Sequence, residues 1–102
     1  MNVEEFNKQV NGTKDHFWLA ADSIGGDWKA KKVPLALTLL DTVAMTLWVA
    51  FGDKLEMKIM SDGCGEEIDI LWTADGSEPS FHNFAKISVY AGSVEFCKNS
   101  LN

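Results

Sequence analysis

The chain has 102 residues, 46% of them apolar and 24% charged, and its fifteen Asp and Glu outnumber nine Lys and no Arg to give a formal charge of -6. That length suits a single α+β domain over residues 1–102, large enough to bury roughly 65% of the surface its unfolded chain exposes, and the composition excludes disorder. The charge argues against direct DNA or RNA binding, which needs cations to neutralise phosphates and bidentate Arg to read bases, and it disfavours an anionic membrane surface.

At the N-terminus, Met1-Asn2-Val3-Glu4-Glu5-Phe6 has no cationic region followed by an apolar one, so no secretory signal is expected and the default location is cytoplasmic. Val3, Phe6, Val10, Phe17, Ala21 and Ile24 keep helical phase, which predicts a helix over 3–24 with Asn2 as its N-cap and Glu4 and Glu5 at the positive end of the dipole. Asn11-Gly12-Thr13 interrupts the stripe and leaves open a split into two helices, and Gly25-Gly26-Asp27 ends it.

Residues 33–51 fit two patterns. Pro34 near a first helical position, Gly52 just past the end and Thr38, Asp41, Thr42 and Thr46 on one side describe a helix over 34–51. Large residues at Leu35, Leu37, Leu39, Val43, Met45, Leu47, Val49 and Phe51 alternate with small ones, which describes strands. The run is longer than a typical strand and Asp41 interrupts the alternation, so the helix is preferred. Its length also matches a membrane span, with Lys29, Lys31 and Lys32 before it, but a central Asp41 and the threonines argue for a protein core instead.

From Lys54 onward the period is two. Leu55, Met57 and Ile59, then Ile68, Ile70 and Trp72, then Ile87 and Val89 alternate with polar neighbours, and Val94 to Cys97 returns as a last strand. Ser61-Asp62-Gly63, Ala74-Asp75-Gly76 and Ala91-Gly92 mark the turns. The expected architecture is α+β, two N-terminal helices packed on a C-terminal antiparallel sheet of about four strands.

Little in the chain marks catalysis. No GxSxG, GxGxxG or GxxxxGK[ST] occurs, His16 and His82 are the only histidines, and Cys64 and Cys97 sit in no metal-binding or redox spacing. Both thiols are read as reduced structural residues, and no metal or cofactor is expected. The Asp62–Asp69 stretch resembles a cation loop in composition only, since it lacks the ligand order of an EF-hand.

Two features point to binding. Asp62, Glu66, Glu67, Asp69, Asp75 and Glu78 form a run without a single Lys, which places concentrated negative charge at the strand ends. Trp28 stands in a lysine-rich connection with no stripe to join, a placement that suits either a binding anchor or a lid on the core. These seven residues are the candidate partner-binding set. Together they favour a non-enzymatic inhibitor that occupies a basic, nucleic-acid-binding surface of another protein. By analogy of size and charge it would belong with viral anti-defence (anti-CRISPR-like) and toxin-immunity proteins. The alternatives are a subunit of a homo-oligomer, built on the apolar 33–51 segment, and a small-molecule-binding domain lined by Trp48, Met57, Trp72 and Phe84.

Overall fold

A computed structural model describes residues 2–52, 56–61, 67–73, 82–89 and 91–97. Two helices, α1 (Val3–Ile24) and α2 (Gly26–Phe51), precede four strands, β1 (Glu56–Ser61), β2 (Glu67–Thr73), β3 (His82–Ser88) and β4 (Ser93–Phe96). The strands form one antiparallel meander in the order β1-β2-β3-β4, so the α+β architecture expected from the sequence is present.

α1 begins where its cap requires. The Asn2 side-chain oxygen accepts from the Glu5 N–H at 2.8 Å, satisfying one of the donors that the first turn leaves over. The helix runs through Gly12 without a break, because Phe6, Val10, Phe17 and Ala21 on either side are all buried in one core and outweigh the cost of one glycine. Gly25 at φ 73° ends it, its N–H donating to the Ala21 carbonyl at 2.7 Å.

α2 starts eight residues earlier than Pro34 and contains that proline in its interior. Residues 26–32, read from sequence as a polar connection, are therefore the first two turns of the helix. Ala and Lys are good helix formers and Val33 is fully buried, so this stretch has both the propensity and the anchor to continue the helix. Gly52, at φ 55°, closes α2 and donates to the Trp48 carbonyl. The two helices lie antiparallel: Phe6 meets Trp48 with ring centroids 4.9 Å apart, Lys14 pairs with Asp41 at 2.8 Å, and Asp22 pairs with Lys29 beside the connection.

Helices and sheet share one core. Phe17, Val33, Leu40, Val43, Leu47, Ile68, Ile70, Phe84 and Ile87 are essentially inaccessible, with Trp28, Trp48, Phe51, Ile59 and Val94 packed around them. α1 lies against β1, and α2 against β3 and β4. β2 and β3 slip register between Ile70 and Leu71, which lets Phe84 and Ala85 both point into the core. His82, expected in a loop, is the first residue of β3.

Candidate functional site

Of the seven sequence-derived candidates, Trp28, Glu67 and Asp69 fall among the described residues. Asp62, Glu66, Asp75 and Glu78 lie outside the described residues, as does Cys64. Trp28 sits in the first turn of α2, half-buried and packed against the core. Glu67 and Asp69 belong to β2, whose inward residues Ile68 and Ile70 are buried under the helices, so alternation turns both carboxylates to the opposite face of the sheet. Trp28 and the two acids are therefore separated by the sheet.

The outward face contains a charge arrangement that linear sequence hides. Register places Lys86 directly between Asp69 on one neighbour and Glu95 on the other, and its ammonium is 3.7 Å from a Glu67 carboxylate oxygen. Three carboxylates thus surround one lysine. Glu56, Lys58 and the half-exposed Met60 extend the same face, with Met60 opposite Asp69. Exposed pairs of this kind contribute about 0–1 kcal/mol each, so they do little for the fold. Their uncompensated charge remains available to steer a partner.

Two further surfaces lie outside the seven-residue candidate set. The first is the outer side of α2, where Leu35, Met45 and Val49 are 45%, 59% and 76% exposed. Thr38, Thr42 and Thr46 each donate their hydroxyl to the carbonyl four residues back, at 3.0, 3.0 and 2.8 Å. That ladder spends the polar group on the helix itself and leaves methyls outward. Asp41 beside it is paired with Lys14. α2 is long and apolar enough to cross a membrane by length and composition alone, and 33% of its most apolar window is buried in the fold.

The second is a groove of about 440 Å³ along α1, lined by Glu5, Lys8, Gln9, Gly12, Thr13 and His16 from the helix and by Ile59 and Ile68 from the sheet. The side-chain oxygen of Gln9 is buried there without a hydrogen-bond partner among the described residues. A Cβ added at Gly12 would meet no atom within 4 Å. The sequence signal for this groove was the interrupting Gly12, read above only as a break.

Of the four residues expected to line a small-molecule pocket, Trp48, Met57 and Phe84 have described side chains. Met57 and Phe84 are buried in the core and Trp48 packs against it. Cys97 is a free thiol, half-buried. No family model matches the chain, and neither a curated protein nor a solved structure matches it.

Proposed function

We propose that this protein acts by binding, its acidic sheet face occupying a basic surface of another protein and blocking it without chemistry of its own. The observation that carries this reading is the cluster of Glu67, Asp69 and Glu95 about Lys86, on a face that no described helix covers. Supporting it is the formal charge of -6 with no arginine. Carboxylates spaced along neighbouring strands can stand in for phosphates, so a nucleic-acid-binding groove is the surface they suit best. On this reading the protein would act in the cytoplasm, in the manner of viral anti-defence and toxin-immunity inhibitors, an analogy of size and charge.

The test is capture of partners from host cells at low and high salt, with wild type and with Glu67→Lys, Asp69→Lys and Glu95→Lys combined. The expected outcome is a complex that weakens steeply with salt and is lost in the triple variant, whose substitutions on the outward sheet face leave the fold intact by circular dichroism. Capture that survives both salt and charge reversal removes the reading.

The exposed side of α2 supports a second reading, a homo-oligomer joined through Leu35, Met45 and Val49. Light scattering checks it: a dimer that Met45→Lys converts to monomer supports it, and a wild-type monomer at high concentration removes it.

A further inference from the structure

We propose that two copies of the chain pack back to back through their helices, α2 against α2 in antiparallel, leaving both acidic sheet faces turned outward. This rests on the second reading above and names the arrangement of the copies. Lys31, Leu35, Thr38, Thr42, Met45 and Val49 are all exposed and recur at steps of four and three, the spacing with which one helix seats its side chains between those of another. The stripe lies on the side of α2 opposite the buried Val33, Leu40 and Leu47, so it faces away from the sheet. Its threonine hydroxyls already donate to carbonyls within the helix, so a second helix can cover them without stranding a donor.

Charge selects a second copy as the occupant. A chain of formal charge -6 repels its own kind over most of its surface. From Val33 to Phe51 the only ionisable residue is Asp41, and Lys14 of the same chain neutralises it. Two copies can therefore meet here without opposing like charges. Area supports the same occupant. The two helices side by side, each about 10 Å across, run along a molecule 42 Å in its longest dimension, which offers up to about 800 Å² on each copy. That matches the share of about 800 Å² that each partner buries in a standard stable interface. Leu19, two residues from both Phe17 and Ala21 in the core, is exposed on the far side of α1 and adds to this layer.

The helix ends set the direction. With a twofold axis at Thr42, Leu35 meets Val49 of the second copy, as a self-complementary contact requires. At 1.5 Å per residue, Lys31 and the end of the second copy's α2 then lie about 16 and 14 Å from the axis on the same side. The last turn of α2 holds no basic residue of its own, and a cation there is favoured by the helix dipole. Parallel packing would instead set Lys31 against Lys31 and bring two helix N-termini together. Because the helices cover the opposite side of each sheet from Asp69, Lys86 and Glu95, the two acidic faces point to opposite ends of the dimer.

The experiment is light scattering of the full chain over a concentration series, followed by oxidative cross-linking of cysteine variants in a Cys64→Ser, Cys97→Ser background. The expected result is a dimer in which Thr42→Cys links to itself, whereas Leu35→Cys links only when mixed with Val49→Cys, since a disulfide forms only between Cα atoms within about 7 Å. Lys31→Glu should raise the dimer dissociation constant about fivefold or more, by placing a carboxylate at the C-terminal end of the opposite helix. A wild-type monomer at high concentration overturns this inference together with the second reading. A dimer in which Leu35→Cys links to itself, Thr42→Cys fails to link, or Lys31→Glu binds with equal affinity overturns the antiparallel arrangement alone. Flotation of the wild-type chain with phosphatidylcholine vesicles also overturns it, by assigning the stripe to a lipid surface. The salt-sensitive capture through Glu67, Asp69 and Glu95 uses the opposite face and is unaffected by any of these outcomes.

Discussion

Gly12 and Gly92 show how the same residue type serves opposite ends. Gly92 turns the chain from β3 into β4 at φ 62°, with its N–H donating to the Val89 carbonyl at 3.3 Å, and a Cβ there would approach a Leu35 methyl to 2.6 Å. Leu35 is exposed enough to give way, so the main penalty of Gly92→Ala is the left-handed backbone, about 1–2 kcal/mol of stability in a urea titration. Gly12 lies in a regular helix with open space around it. Gly12→Ala should therefore stabilise the chain by about 0.5–1 kcal/mol in the same measurement, and a loss would mean that the open space is needed by the fold. The cap at Asn2 was legible from sequence because capping is local. The neighbours of Lys86 were not, because they come from strands on either side of it.

At the scale of elements, α2 explains both the ambiguity of its sequence and its unusual surface. Large residues at every second position cannot all face one side of a helix with 3.6 residues per turn. The core takes Val33, Ala36, Leu40, Val43, Ala44 and Leu47, and the alternation leaves Leu35, Met45 and Val49 outside. The pattern that reads as a strand is thus the exposed apolar face of a helix. The N-terminal turns of α2 were not legible, since Gly25-Gly26 is a stop signal and Pro34 a start signal. Inside α2, Pro34 supplies no N–H to the Ala30 carbonyl. Pro34→Ala should restore that bond and raise stability by about 1–3 kcal/mol, read as a higher denaturation midpoint; an unchanged midpoint would mean that water already satisfies the carbonyl.

For the molecule as a whole, the core residues of both helices and β1, β2 and β3 form one cluster. Unfolding should then be a single transition, with far-ultraviolet dichroism and tryptophan fluorescence coinciding, and Phe17→Ala should cost about 3–5 kcal/mol without separating the two signals. The class and number of elements were legible because hydrophobic period switches from helical to two near residue 54. The surfaces were legible only in part. Net charge can be counted along a chain, whereas which charges meet depends on register and on which face the helices cover.

The order of the elements has a kinetic consequence. Each strand pairs with its neighbour in sequence, and α1 packs on α2 across a one-residue connection at Gly25. Most native contacts therefore close short loops, and the hairpins and the helix pair can each form before the rest of the chain has collapsed. A polypeptide of this topology should reach its native state within about milliseconds of leaving denaturant, a timescale that stopped-flow fluorescence of its tryptophans resolves. Fast completion also shortens the interval in which the apolar side of α2 and the unpaired strands are both available to the wrong partner.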